Sequence, residues 1–318
     1  MFKIRKRKSK AHSASTFGKH LAIRLTEDGA VEIDYSPAYP PDVFFDTNVL
    51  LGLGERGIES LRQLQAKRGF RFRYSMANFI ELVSHLDDGD SAKVRNPFRR
   101  YQAPFKKVAR LFNLEVLPSA EMLLMQATGL ERFLDPKWVV DSMDIARQVG
   151  IIANAGSVEE VKRYGIDPGH YKHLKEVDGR SFVSMMNGAI RTIPRPLKVT
   201  ESSAKWLGHL YSFLIYRASS KRVRLSALTT GEQRRVITSF RGQGGMMFEA
   251  HLLKLLKRTI DDGRHPQEND FYDMMQLLLL RLPNLLFVSG DRPYFSYYMG
   301  ADFHKVVPWK EFQASANL

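Results

Sequence analysis

The chain of 318 residues contains no cysteine. Disulfides, thiolate zinc sites and cysteine nucleophiles are therefore excluded, and folding does not depend on an oxidising compartment. Acidic residues are also scarce relative to basic ones, since 34 Asp and Glu stand against 48 Lys and Arg and leave a formal net charge of +14. A protein this basic usually meets a polyanion, so we expect nucleic acid as its partner.

Long apolar runs are missing as well. The most apolar run, residues 274–280, is ended by Arg281 and Pro283, far short of the ~20 residues that a membrane span needs. No apolar stretch follows the basic cluster at the start of the sequence, as it would in a secretory signal. We therefore expect no membrane association and a cytoplasmic location, or a nuclear one in a eukaryote.

Basic residues are concentrated in blocks that contain no acid. Residues 1–24 form the first block and predict a basic arm, which we extend to residue 40. The second block, residues 91–112, interleaves cations with aromatic residues. Such a mixture suits a strand of phosphates with bases stacked beside it, although an ordinary helix with a basic outer face is the alternative. The candidate nucleic-acid contacts are Lys93, Arg95, Arg99, Arg100, Lys106 and Lys107.

Apolar periodicity predicts strands and helices at both ends of the chain and a helical middle. The predicted strands are 43–45, 70–74, 285–289 and 305–307, and the predicted helices are 49–67, 76–86 and 269–282. This alternation predicts an α/β fold with a small parallel sheet. The predicted organisation is a basic arm over 1–40, an α/β unit over 41–90 and 265–318, and a mainly helical insertion over 91–264.

Two carboxylates directly follow predicted strands. Asp46 comes after Val43-Phe44-Phe45, and Asp291 comes after the strand that ends at Ser289. Ligands of open α/β sheets bind at the carboxyl ends of the strands, so both acids occupy candidate site positions. Capping of a following helix is the structural alternative for each.

Two further acids lie on predicted helices. Glu81 is surrounded by apolar residues, and Asp273 opens an apolar helix on which Asp270 shares its face. Carboxylates gathered in one place repel one another and take up protons unless a cation compensates them. Oxygen ligands without cysteine or histidine select Mg²⁺ or Mn²⁺, so we expect one of these ions as the cofactor.

The ordered set of motifs resembles the PIN domain family. It consists of DTNVLL at 46–51, a helix with Glu81, Asp273 opening an apolar helix, and a strand that ends in SGD at 289–291. The resemblance implies a three-layer α/β/α sandwich with a small parallel sheet. It also implies hydrolysis of phosphodiesters, usually in RNA, with Mg²⁺ or Mn²⁺.

The resemblance assigns roles residue by residue. Asp46, Glu81, Asp273 and Asp291, hereafter the four acids, would hold the metal and carry catalysis, and Asn48 and Ser289 would orient them. The spacing to Asp291 favours Asp273 over Asp270 as the third acid. The long stretch between Glu81 and Asp273 departs from compact members of the family, and it leaves substrate and partners open.

These observations predict a metal-dependent endoribonuclease. A DNA nuclease using the same site is the first alternative, because an acidic metal centre treats both backbones alike. A non-catalytic nucleic-acid-binding scaffold is the second. A haloacid-dehalogenase-type phosphatase is disfavoured, since Asn48 stands where that family has a second aspartate. The insertion is a candidate surface for a regulatory protein or for a second copy of the chain.

Overall fold

The fold is mixed α/β and mostly helical, with a small parallel sheet. The computed structural model describes residues 21–25, 31–35, 40–111, 115–191, 202–240, 245–291 and 305–316. Within them, four strands form a parallel sheet in the order β4-β3-β5-β6. These strands are β3 (Asp42–Phe45), β4 (Arg71–Arg73), β5 (Leu285–Ser289) and β6 (Val306–Pro308). The predicted α/β class and the four predicted strands are confirmed.

The chain order of the strands places a switch point inside the sheet. From β3 the chain passes to β4 on one side, and it later returns to the other side of β3 to form β5. Phe45 pairs with Val288 in this central register, so β3 and β5 end side by side. A crevice forms at such a switch point outside the carboxyl ends of the strands.

Both faces of the central strand are buried. Phe44 and Phe45 are 0% and 1% exposed, and as neighbours in a strand they point to opposite faces. Phe44 stacks on Phe287 of β5, whereas Phe45 meets the edges of Trp309 and Phe312 in α13 (Trp309–Ala316). This burial explains why β3 reads as a wholly apolar run.

The predicted single helix over 49–67 is two helices. They are α1 (Thr47–Gly52) and α2 (Glu55–Arg68). Leu53 between them is extended and only 4% exposed, and a glycine stands on each side of it. Glycine weakens a helix and burial of the Leu53 side chain favours the break, so apolar spacing alone missed it. Gly69 ends α2 in the left-handed conformation that favours glycine.

Two more helices of the α/β unit confirm their predictions. The first is α3 (Met76–Val83), which Ser75 caps by accepting a hydrogen bond from the backbone N–H of Asn78. The second is α12 (Asp270–Leu278), which continues as a 3₁₀ turn over Leu279–Arg281 before β5. These two helices carry Glu81 and Asp273.

The insertion is helical in its described part. It comprises α4 (Pro97–Leu111), α5 (Ala120–Thr128), α6 (Lys137–Asn154), α7 (Val158–Arg163), α8 (Pro168–Arg191), α9 (Ser202–Ala218), α10 (Thr230–Phe240) and α11 (Gly245–Asp262). Its buried side chains belong to the same hydrophobic core as those of the sheet. After α4 the chain returns to the sheet edge, where Val116 bridges to Tyr74. The insertion and the α/β unit are therefore packed as one body.

A buried ion network ties the insertion to α12. The guanidinium of Arg217 donates to both carboxylate oxygens of Asp178, at 2.9 and 2.6 Å, and also contacts Glu121. The hydroxyl of Tyr272 donates to Asp178 at 3.0 Å. Arg217 also lies over the ring of Trp138, 4.5 Å from its centroid. One cation thus links α5, α8 and α9 to the residue that precedes Asp273.

The N-terminal extension contains an antiparallel strand pair. Strands β1 (Leu21–Leu25) and β2 (Val31–Tyr35) pair from Leu21 with Tyr35 to Leu25 with Val31. The predicted arm over 1–40 is therefore partly strand, while residues 1–20 of the first basic block lie outside the described residues. No helix in the described part of the chain combines the length and apolar character that crossing a membrane would require.

Candidate metal-binding site

Asp46 and Asp291 meet at the switch point between β3 and β5. The backbone N–H of Asp46 donates to the carbonyl of Val288 at 2.9 Å. The Ser289 hydroxyl donates to Asp46 Oδ2 at 2.7 Å and accepts the backbone N–H of Asp291 at 3.0 Å. The amide of Asn48 donates to Asp291 Oδ2 at 3.0 Å. Ser289 and Asn48 therefore each hold one of these two carboxylates by a hydrogen bond.

Asp46 is a buried acid without a structural use in its helix. It is 3% exposed and precedes α1, but its side chain makes no capping hydrogen bond there. The pKa of Asp46 is raised to about 7, mainly by burial and also by the charges of Asp291 and Glu81, while the hydrogen bond from Ser289 opposes the rise. The helix-cap alternative does not explain this acid.

Glu81 faces the site from α3. Its carboxylate is half-buried, and its Oε2 accepts the hydroxyl of Thr47 at 2.5 Å. The amide of Asn78 donates in turn to the Thr47 hydroxyl at 3.0 Å. Glu81 thus turns toward the end of β3 rather than lying on an outer helical stripe.

The structure separates the roles of the two acids on α12. Asp270 accepts the guanidinium of Arg258 at 2.8 Å and the backbone N–H of Gln267 at 2.7 Å, so it stabilises the start of the helix. Among the residues that the structure describes, Asp273 forms no ion pair with a cation. Burial raises the pKa of the Asp273 carboxyl well above its usual range, and the other three acids and Asp270 add to the rise. Among the charges that raise the pKa of Asp273, that of Asp46 is the largest.

The four acids influence one another, yet they do not form a closed set of ligands. The charges that act most strongly on Asp46 and Asp273 are other carboxylates. In the described ranges, however, no three Asp, Glu or His side chains are arranged to enclose a metal ion. A shared ion would require side-chain movement toward one point. The donors themselves, four carboxylates with neighbouring hydroxyl and amide oxygens, fit Mg²⁺ or Mn²⁺.

The second basic block forms an exposed cationic surface on and before α4. Five of the six candidate contacts are exposed, namely Lys93, Arg95, Arg99, Arg100 and Lys106. Arg110 of the same block is also exposed, but its guanidinium donates to Glu55 at 2.7 Å. Lys107 differs, because its ammonium group donates to the carbonyls of Leu50 and Leu51 at 2.9 and 3.2 Å and so caps the end of α1. Burial lowers the pKa of Lys107. Lys107 is thus used inside the fold, and five cations remain as candidate contacts.

The aromatic residues of this block face the protein. Phe105 is 0% exposed, and Tyr101 is partly buried with its ring stacked on His85 at 4.8 Å. Phe98 packs against the core beneath Arg99. Phe105 therefore cannot stack on a base, contrary to the expectation for this block. The exposed cations are what suits this surface to phosphates.

Sequence reasoning missed two polar residues of the site, Thr47 and Asn78. Both are buried, at 4% and 0% exposure. A signal for Asn78 was present, since it is a polar residue one helical turn before Glu81 in an otherwise apolar helix. Thr47 gave no signal beyond its position after Asp46.

Comparison with protein-family models, with curated proteins and with solved structures finds no match to this chain. The function must therefore be inferred from the arrangement of its own residues.

Proposed function

We propose that the protein is a Mg²⁺- or Mn²⁺-dependent nuclease that hydrolyses phosphodiester bonds, with RNA as the favoured substrate. The observation that supports this proposal is that Ser289 links Asp46 and Asp291 at the switch point of a parallel sheet. Glu81 and Asp273 lie close enough to act on the same charges, and no described cation forms an ion pair with either of them. The proposal includes a PIN-like three-layer sandwich around that sheet.

Each group at the site has a part in this function. The four acids would hold the metal, while Ser289 and Asn48 keep the carboxylates of Asp46 and Asp291 in place. A bound Mg²⁺ or Mn²⁺ would lower the pKa of a coordinated water and neutralise charge on the phosphodiester. The cations of the basic block would attract the polyanion, which the acids by themselves repel.

A cleavage assay with a matched charge variant tests the proposal. Labelled RNA and labelled single-stranded DNA are incubated with Mn²⁺, with Mg²⁺ and with chelator, using wild type, Asp46→Asn and Asp144→Asn. Asp144 lies on α6, where it pairs with Arg147. Asp144→Asn therefore makes the same chemical change as Asp46→Asn at an acid that is not one of the four. We expect metal-dependent cleavage by wild type and Asp144→Asn and none by Asp46→Asn. Equal cleavage by all three would remove Asp46 from the reaction.

A non-catalytic nucleic-acid-binding scaffold is the second candidate. One observation favours it, namely that no three acidic or histidine side chains in the described residues are arranged around a common point. Tight binding of RNA or DNA without cleavage in either metal, and without uptake of Mn²⁺ by calorimetry, would support the scaffold. Cleavage of single-stranded DNA in preference to RNA would assign a DNA nuclease.

A further inference from the structure

A chain of hydrogen bonds inside the protein ends on the carboxylate of Glu81. Ser75 Oγ donates to Asn78 Oδ1 at 2.6 Å, Asn78 Nδ2 donates to Thr47 Oγ1 at 3.0 Å, and Thr47 Oγ1 donates to Glu81 Oε2 at 2.5 Å. Ser75, the cap of α3, and then Asn78 and Glu81 on α3 follow one another at intervals of one helical turn, and Thr47 is the first residue of α1. The hydrogen bonds thus connect the cap of α3 to the acid on the same helix through the first residue of α1.

The direction of donation follows from what each group can offer. Ser75 Oγ already accepts the backbone N–H of Asn78 at 3.1 Å, so its own proton points to the amide oxygen of Asn78. The amide nitrogen of Asn78 then donates to the Thr47 hydroxyl oxygen, and that hydroxyl has one proton of its own to donate. That proton goes to Glu81, which must accept it. The three hydrogen bonds therefore all run in the same direction, and together they hold the Glu81 carboxylate in one orientation as the final acceptor.

Burial makes this chain costly to break. Ser75, Asn78 and Thr47 are 1%, 0% and 4% exposed, so a group that lost its partner would have no water to replace it. A buried polar network in which every member is satisfied holds its side chains in one arrangement. Within the described part of the chain only Oε2 of Glu81 accepts this hydrogen bond, so Oε1 can face a ligand.

We propose that Thr47 and Asn78 are positioning residues that hold Glu81 for the metal ion, with Thr47 as the final link. This inference rests on the proposed function, because it needs a metal at the four acids. Groups that orient metal ligands typically contribute about 10–100-fold to metal affinity. The role is therefore measurable as binding, independently of cleavage.

Mn²⁺ titration by calorimetry, beside the melting temperature of each variant, tests the role. Thr47→Val keeps the shape of the side chain but removes the hydroxyl, and we expect it to weaken Mn²⁺ binding about 10–100-fold. Thr47→Ser keeps the hydroxyl and is expected to bind as wild type does. Ser84→Ala is the matched control, since the Ser84 hydroxyl donates to the backbone carbonyl of Glu81 at 2.8 Å and not to its carboxylate.

Asn78→Ala provides a second variant in case Thr47→Val does not fold. Asn78→Ala keeps the Thr47 hydroxyl but removes the hydrogen bond that orients it. We therefore expect an Mn²⁺ affinity between that of Thr47→Val and that of wild type. Binding by Thr47→Val and Asn78→Ala equal to wild type would overturn the positioning role and leave the nuclease proposal intact. Weak binding by Thr47→Ser would also overturn it, since the methyl group would then matter. A wild type that takes up no Mn²⁺ would overturn the proposed function and this role with it.

Discussion

Replacing Asp46 by asparagine should stabilise the metal-free protein at alkaline pH. The pKa of Asp46 is raised from 3.8 to about 7 by burial and by neighbouring carboxylates, so its charged form destabilises the fold. The folded state binds more protons than the unfolded state between these two values, and stability therefore falls as pH rises through that window. Above the upper value the full penalty, about 4 kcal/mol, is present.

The gain from Asp46→Asn is expected to be smaller than this limit. The amide oxygen of asparagine can still accept the Ser289 hydroxyl, but a neutral acceptor makes a weaker hydrogen bond than a carboxylate. We expect a rise of about 1–3 kcal/mol in the free energy of unfolding at pH 8, shrinking as pH falls toward 4. Urea titrations at both pH values, with chelator present, measure it.

Asp144→Asn supplies the contrast, because Arg147 holds the pKa of the Asp144 carboxyl below its usual range. Its ionised form favours the fold, so this variant should lose a little stability at neutral pH rather than gain it.

Addition of Mn²⁺ should stabilise wild type and not Asp46→Asn, since a ligand that binds only the folded state raises its stability. An Asp46→Asn variant less stable than wild type at pH 8, or a gain independent of pH, would refute the electrostatic reasoning.

Three further predictions separate neighbouring residues by role. Asp273→Asn should abolish Mn²⁺ uptake in calorimetry. Asp270→Asn should still take up Mn²⁺, but the protein should be less stable because the ion pair of Asp270 with Arg258 is lost. Lys106→Ala should make the slope of log affinity for RNA against log salt concentration shallower, by about 0.7 for each phosphate contact that is lost. Lys107→Ala should leave this slope unchanged and lower the melting temperature, because the Lys107 ammonium group caps α1. Arg217→Met leaves two buried carboxylates without their cation and should cost about 3–5 kcal/mol in urea unfolding. An unchanged unfolding midpoint for Arg217→Met would contradict the buried network.

The strands and the two strand-end acids were predictable because short-range patterns encode them. A wholly apolar run such as Val43-Phe44-Phe45 indicates a strand buried on both faces, and β3 is such a strand. An acid directly after it then lies at the carboxyl end of the sheet, as Asp46 does. The break at Leu53 was missed because its burial depends on tertiary packing, which periodicity does not contain.

The use of individual side chains was less predictable than their position. Lys106 and Lys107 are adjacent in the sequence and equally basic, yet one is exposed and the other caps α1. The choice depends on which residue faces α1 in the folded chain. The same holds for Asp270, whose link to Arg258 joins α12 to the end of α11. Such pairings arise from contacts between elements and leave no local mark in the sequence.

The gathering of like charges at the site requires support from the rest of the fold. The helix α12 carries Asp273 toward the other acids, and the preceding residue, Tyr272, anchors the same helix to Asp178 in the insertion. Because Arg217 holds Asp178 from α9, the insertion contributes buried contacts that offset the repulsion at the site. The insertion is therefore a structural part of the site, and its removal would release α12 along with the acid that α12 presents.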